Sequence, residues 1–392
     1  MRRARVVAAF SVALAALPML AACDKGGFAP AAVDLTCPAQ PGGPVTLAIG
    51  ARANSPAPVL PPAIVDLMRE AAKEGHTISL VRVDGEPSVS FQGTFHSDAA
   101  NGVARNNDLQ QFIDMVQGRV AALLPKAPEA DVLGALGEAA RITPEGGTVV
   151  LLDSGLQTTG QIKFQDKGAF GADPQEFVDY LKARSLMPPL TDRAVVLVGL
   201  GNTAEPQAAL DTSLRSSVTA LWQTVVTDAG ASCVQVVDTA ASRSSVNTDV
   251  PVTTVALPTV PAFEPCGDTV LRDDTVGFVG DEAVFRDPAA ARKTLQELAD
   301  LVIGGHQLVE LIGTTAKAGN SEPSRVRLSQ RRAEAVKGVL VELGVPEERI
   351  TTKGVGTSWP DRVNDIAPDG SLIPWAAALN RSVIVRLSCP KG

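Results

Sequence analysis

Short aliphatic and β-branched runs recur through the first part of the chain, at 45–49, 78–83, 148–152, 194–200 and 233–237. Each has the length and composition of a buried strand. Between them, residues 62–73, 109–124, 129–140, 174–183 and 212–227 carry apolar side chains three and four positions apart. In the last of these, Leu214, Val218, Leu221, Trp222 and Val225 fall on one helical face. Strands that alternate with helices predict an α/β fold with a doubly wound, mostly parallel sheet, here over 45–239. A stretch of that length is enough to close one hydrophobic core.

The pattern then breaks. Residues 240–265 are rich in Ser, Thr, Val and Pro, and Pro251, Pro258, Pro261 and Pro265 argue against a central strand, so this reads as a linker. Periodicity returns over 266–392 as strand (275–279), helix (289–302), strand (307–314), helix (324–343), strand (350–354) and a last strand (382–387). Leu295, Leu298 and Val302 share one face of the first helix, and Ala333, Val336, Leu340 and Leu343 one face of the second. A small α/β sandwich is expected.

The N-terminus changes the setting. Arg2, Arg3 and Arg5 precede an apolar run over 6–20, which Leu20-Ala21-Ala22-Cys23 closes. A basic start, a short apolar core and small residues before a cleavage point make a secretory signal peptide over 1–22. The run is short for a permanent membrane helix. Leu-Ala-Ala-Cys resembles a bacterial lipobox, which implies acylation of Cys23 and anchoring in the lipid bilayer by its acyl chains. Residues 23–44, with Gly26, Gly27 and four prolines, read as a tether from membrane to folded chain. The protein is therefore expected in the cell envelope, outside the cytoplasm. The formal charge is −8, and losing 1–22 removes three arginines and no acids, so no general attraction for nucleic acid is expected.

A set of short motifs stands in order in the last third of the chain. Gly313-Thr314-Thr315-Ala316-Lys317-Ala318-Gly319 is followed by Leu328-Ser329-Gln330-Arg331-Arg332-Ala333, Gly344-Val345, Gly354-Val355-Gly356 and Asn380-Arg381-Ser382-Val383. Over 269–387 the chain resembles the OmpA-like domain family, whose pattern runs T-D-x-x-G, N-x-x-L-S-x-x-R-A, G-V, G-x-G and N-R-R-V. The resemblance implies a site for the peptide stem of peptidoglycan. In it the aspartate of T-D-x-x-G pairs with a diaminopimelate ammonium, and the arginine of L-S-x-x-R-A pairs with a carboxylate. A planar guanidinium suits that second task because it can offer two parallel hydrogen bonds.

Carried onto this chain, the resemblance places Arg332 at the arginine position, keeps Thr315 and Gly319 in the loop frame, and matches Asn380 and Arg381 to N-R. The chain also departs from the pattern. Ala316 stands where the aspartate belongs, Lys317 follows it, and Arg325 takes the usual asparagine position after one additional residue. An ammonium acceptor must then come from Asn320, Glu322 or a backbone carbonyl, and a pocket with Arg325, Arg332 and Arg381 favours anions. The expected ligand residues are Thr315, Arg325, Arg332, Asn380 and Arg381, with Asn380 donating to a stem carboxylate or shaping a turn.

Besides Cys23 the chain has Cys37, Cys233, Cys266 and Cys389, an even number that favours disulfides in an exported protein and allows three connectivities. Cys266 and Cys389 bracket the OmpA-like resemblance, and Cys37 and Cys233 bracket the region before it. That bracketing implies Cys37–Cys233 and Cys266–Cys389. No C-x-x-C pair is present and His76, His96 and His306 are scattered, so a zinc site is not expected.

In its order of elements, the region around Ala130-Asp131-Val132-Leu133 and Asp153-Ser154-Gly155 is similar to a von Willebrand factor A-like domain. Active members hold a divalent cation through D-x-S-x-S after the first strand, because a hard cation needs oxygen donors. Here Gly50-Ala51-Arg52-Ala53-Asn54-Ser55 stands there, with a cation, Arg52, in place of carboxylates. Asp131 reads equally as a helix cap and Asp153 as a strand end. Gly199-Leu200-Gly201-Asn202 reads as a tight turn. No metal, no cofactor and no catalytic motif is expected. Three functions remain open: a membrane-anchored, non-catalytic link to the cell wall, an envelope protein-interaction scaffold that has lost wall binding, and a metal-dependent adhesion protein.

Overall fold

The fold is taken from a computed structural model that describes residues 34–38, 42–239, 244–259, 261–319 and 321–389. The expected signal peptide, Cys23, the start of the tether and Asn320 lie outside the described residues.

The first sheet contains β1 (Val45–Gly50), β2 (Thr77–Val83), β3 (Ser88–Thr94), β4 (Thr148–Leu152), β5 (Ala194–Val198) and β6 (Cys233–Val237). Their spatial order is β3-β2-β1-β4-β5-β6, parallel throughout except for β3, which runs antiparallel to β2 at one edge. Five helices cover it: α1 (Pro62–Lys73), α2 (Gly102–Ala121), α3 (Val132–Ile142), α4 (Pro174–Ala183) and α5 (Thr212–Asp228). Alternate strand residues feed opposite layers. Val45, Leu47, Ile49 and Val150 join Ile64, Met68 and Ile113 on one face, whereas Val149, Leu151, Val195 and Leu197 join Leu136, Phe177 and Trp222 on the other.

The helices begin where the sequence supplies a cap. Asn101, Asp131, Asp173 and Asp211 each accept a first-turn N–H of α2, α3, α4 and α5. A proline opens α1 and α4, where its missing N–H costs nothing.

The second sheet has the order β7-β10-β8-β9, from β7 (Asp268–Leu271), β8 (Leu308–Gly313), β9 (Ile350–Gly354) and β10 (Val383–Ser388). Strand β10 is antiparallel to β7 and β8, and β8 is parallel to β9. Helices α6 (Pro288–Gly305) and α7 (Glu322–Glu342) pack Leu295, Leu298, Val302, Ala333, Val336 and Leu340 against it. A short α8 (Pro374–Asn380) precedes β10. Both sheets belong to one compact unit.

Four elements differ from the sequence pattern. Strand β7, at Asp268–Leu271, lies outside every run that the pattern marked. The alternation at 275–279 is not a ladder: Thr275 closes a turn on Arg272, and Val276 and Phe278 plug the core from a loop. Strand β3 escapes the pattern because Ser88, Ser90 and Gln92 fill its outward positions and leave two apolar residues to mark it. Helix α8 is seven residues long, too short to show a period.

Cys37 bonds to Cys233 and Cys266 to Cys389, with Cα–Cα separations of 5.8 and 5.4 Å, in the connectivity that the bracketing implied. In the chain-entropy model, bridges over loops this long contribute roughly 4–5 kcal/mol each by restricting the unfolded chain. Residues 244–259 lie as a strap along the first sheet. Gln207 meets the backbone of Val255 through both amide atoms (2.7 and 3.0 Å), and Glu129 holds Thr253.

Candidate ligand-binding site

The motif residues converge where β8, β9 and β10 meet the first turns of α7. Gly313 and Gly354 allow that approach: a Cβ on Gly313 would lie 1.9 Å from the Ser329 carbonyl oxygen, and one on Gly354 would lie 2.4 Å from Val326 O. Ser329 Oγ donates to Val326 O and accepts from Gly356 N–H (2.9 and 3.0 Å), so the serine of L-S-x-x-R-A holds the glycine loop. Thr314 Oγ1 donates to Asn380 O (2.7 Å) and accepts from Ser382 N–H, joining the end of β8 to the start of β10.

Arg332 points inward from α7 and is 1 % exposed. Its Nε donates to Glu282 O at 3.0 Å, its Nη2 to Gly280 O, and its guanidinium carbon lies 5.2 Å from the centre of the Phe278 ring. Burial pulls this guanidinium down to about 10, against the opposing attraction of Asp273, and it remains a cation at neutral pH. The loop carrying Gly280 and Glu282 therefore takes up two of the five guanidinium N–H groups, one on Nε and one on Nη2.

Asn380 is fully buried and spends its amide on the loop between β9 and α8. Its Oδ1 accepts from Val363 N–H (3.0 Å), and its Nδ2 donates to Val363 O (2.9 Å) and Asp365 Oδ2 (2.8 Å). Asp365 also accepts from Lys317 N–H at 2.8 Å and from Arg362. A buried carboxylate thus stands beside the backbone of Lys317, next to Ala316, but it arrives from 365. Thr315 donates its N–H to Gly356 O (3.0 Å), and its buried hydroxyl makes no hydrogen bond. Arg325 lies in the first turn of α7 and pairs with Glu322 at 2.9 Å, while Glu322 also accepts from Thr357 N–H (3.0 Å) and Oγ1 (2.8 Å). Hydrogen bonds from Thr357 hold the Glu322 carboxyl below its ordinary range, against a smaller effect of burial.

Arg381, at the start of β10, is 5 % exposed and reaches across to the first sheet's layer. Its Nη2 donates to Glu176 Oε1 on α4, and its Nη1 lies 3.9 Å from Asp273 Oδ2. Asp273, just after β7, is the centre of a cluster in which Arg286 stands at 3.4 Å and Arg332 also contributes. Burial pushes the Asp273 carboxyl up, and Arg286, Arg381 and Arg332 pull against it. Burial likewise raises Glu176, opposed mainly by Arg381. The Arg381 guanidinium is penalised by burial, yet Glu176 and Asp273 outweigh this and hold it above its ordinary value.

The structure thus groups Arg286, Arg332 and Arg381 with Asp273 and Glu176, ties Asn380 to the loop at 363–365, and leaves Thr315 and Arg325 on the glycine-loop side with Gly356 and Glu322. Asp273, Arg286, Asp365 and Glu176 were not visible in the sequence as members of this site. Glu176 reads there as an acidic residue in a first helical turn, where the helix dipole favours it.

The first sheet has its own buried ion pair at the carboxyl ends of β1 and β4. Arg52 Nη1 meets Asp153 Oδ2 at 2.5 Å and Nη2 meets Oδ1 at 3.0 Å, with both side chains fully buried. The guanidinium is the cation at this carboxylate. Asp131 caps α3 through Gly134 N–H (2.9 Å), and Gly199 and Gly201 take positive φ angles of 72° and 75° in a tight turn. No group of three or more His, Cys, Asp or Glu residues able to hold a metal ion occurs among the described residues. No helix among them is long and apolar enough to cross a membrane.

Residues 278–369 match the OmpA family, so the C-terminal third of the chain carries an OmpA domain. The chain is 31% identical over 99 residues to the sodium-type flagellar protein MotY of Vibrio parahaemolyticus, which covers 25% of this chain and 31% of that protein. It is 32% identical over 122 residues to the photosystem I P700 chlorophyll a apoprotein A2 of Gloeobacter violaceus, covering 30% of this chain and 13% of that protein. It therefore spans less than a third of either relative. Similar solved structures include the cell wall anchor of the T6SS from Pseudomonas aeruginosa (24% identical, 31% of this chain and 81% of that chain, TM-score 0.26). The periplasmic domain of Helicobacter pylori MotB is 18% identical over 32% of this chain and 76% of that chain, with a TM-score of 0.26. The peptidoglycan-associated lipoprotein from Burkholderia pseudomallei is 23% identical over 29% of this chain and 88% of that chain, with a TM-score of 0.24.

Proposed function

We propose that this protein is a non-catalytic lipoprotein of the cell envelope, anchored in the bilayer through acylated Cys23, whose OmpA domain binds the peptide stem of peptidoglycan. The observation that carries this reading is the gathering of Arg286, Arg332 and Arg381 in one buried cluster with Asp273 and Glu176, of which Arg286 and Arg332 fall within the residues that match the OmpA family. Arg381 meets Glu176 through one of its terminal nitrogens, and a stem carboxylate that took the place of Glu176 would meet the same guanidinium. Without a carboxylate at 316, recognition rests on the carboxylate end of the stem, and the ammonium end is met by Asp365 or by backbone carbonyls.

A second reading has its own support. Arg332 gives two of its N–H groups to Glu282 and Gly280, and Asn380 gives its amide to Val363 and Asp365. On that reading the domain keeps the OmpA fold as an interaction scaffold for another envelope protein, and the first sheet is a further partner-binding module. The two readings separate in one assay, co-sedimentation of the full mature chain with purified peptidoglycan, competed with free stem peptide. Sedimentation that stem peptide reverses supports the wall link. A folded chain that stays in the supernatant, together with a chain opened at the interface described below, leaves the scaffold reading.

A further inference from the structure

We propose that α4 is an internal occupant of the wall-binding site: the Glu176 carboxylate sits on Arg381 where a stem carboxylate would bind, so that the first sheet and the peptidoglycan compete for it. This rests on the reading of the OmpA domain as a wall binder and adds its regulation.

The contact is built by more than one ion pair. Trp375 of α8 packs against Phe177 (6.2 Å between ring centres) and Tyr180 (5.3 Å) of α4, and Ala378 enters the first sheet's core. Arg184, stacked 3.6 Å from the centre of the Tyr180 ring, bonds to Asp369 at 2.9 Å and Ser371 Oγ at 3.0 Å. Arg286 donates to Gly171 O at 3.1 Å. The backbones come as close as they can: a Cβ on Gly168 would lie 2.3 Å from Trp375 O, and one on Gly171 would lie 2.7 Å from Asp274 N. These contacts place α4 and the turn before it directly over Arg381.

The pairing itself is incomplete. Glu176 uses one oxygen on one guanidinium nitrogen; Glu176 Oε2 and Arg381 Nη1 are both buried and make no hydrogen bond. Leaving such groups unsatisfied is costly, and a carboxylate that met both nitrogens side by side would be held better. The internal occupant is therefore displaceable by an external one, which is the property a competitive cover requires. Displacement also frees the loop at 369–371 from Arg184 and uncovers Trp375, so binding and separation of the two sheets are one event.

The test is co-sedimentation of the full mature chain with purified peptidoglycan, using wild type, Glu176→Gln, Trp375→Ala and each of these combined with Arg381→Ala, after circular dichroism shows each to be folded. Removing the internal carboxylate raises the fraction of open chain, and the apparent affinity rises with it, by about tenfold or more. Glu176→Gln and Trp375→Ala are each expected to show that gain, and Arg381→Ala to abolish it. Equal half-saturation for wild type and both opening variants overturns the competition and leaves wall binding standing. Failure of every folded variant to sediment overturns wall binding, and the proposal falls with it.

Discussion

Arg332 is the residue for which the family resemblance and the structure predict opposite behaviour on mutation. A ligand-binding arginine in an open pocket contributes little to folding, so Arg332→Ala would leave stability nearly unchanged. Here the guanidinium donates to Glu282 O and Gly280 O, lies over Phe278 and helps to neutralise the buried Asp273. Hydrogen bonds from a charged donor are each worth roughly 1.5–3 kcal/mol when one partner is removed, so the two carbonyls alone imply a loss of about 3–6 kcal/mol. Relaxation of the loop carrying Gly280 and Glu282, which lets water reach those carbonyls, reduces this to about 3–4 kcal/mol. The assay is guanidinium chloride unfolding of the full mature chain with its disulfides intact, followed by tryptophan fluorescence. Trp359 lies in the C-terminal region, Trp222 in the first sheet's layer and Trp375 where α8 packs on α4, so each half and their contact have a reporter. The loss is expected in the transition of the C-terminal region. Arg332→Lys keeps the charge but cannot fork to both carbonyls, and should lose about half as much. A loss below about 1 kcal/mol for Arg332→Ala would refute the reasoning, because that is the level of an ordinary surface substitution.

Two further predictions follow from named contacts. Arg52→Ala leaves Asp153 buried without its cation and should cost about 3–5 kcal/mol in thermal or chemical unfolding, whereas Arg52→Met combined with Asp153→Leu should recover most of that loss; an additive double variant would show that the pair is not coupled as described. Glu322 is held below its ordinary value by Thr357, so its contribution is present above the unfolded glutamate pKa and is lost as pH falls through the lower folded value. The Thr357 amide resonance should accordingly titrate with a midpoint below the usual glutamate range, and a midpoint at or above that range would contradict the bond from Thr357 N–H.

Much of the fold was legible because it rests on local rules. The parallel strands were marked by aliphatic runs, and the helices of the first sheet by the 3.6-residue period, which nevertheless started α2 at 109 and missed its first turns behind the Asn101 cap. The glycines of the motifs were legible as motif members, and the structure gives their reason in the closeness of α7 to β8 and β9. What was not legible had no local signature. Strand β3 alternates over only two apolar residues, Val89 and Phe91, α8 is shorter than two helical turns, and the alternation at 275–279 plugs a core from a loop. Period-2 burial without a neighbouring strand looks the same in sequence as period-2 burial in a ladder.

Sequence alone determined the alternation of strands and helices under the first sheet, the apolar faces of the helices it marked, the cysteine bracketing and the resemblance to an OmpA domain, because these depend on spacing along the chain. Only the tertiary structure decided what the charged residues do. Arg381 finds Glu176 across 205 positions, Arg52 finds Asp153 across 101, and Arg332 finds carbonyls 50 and 52 positions away. Such partners follow no period, since a buried cation must be met by whichever oxygen the packed chain brings within reach, and desolvation leaves it no option of remaining unpaired. The motif identified the arginines; the fold assigned their occupants.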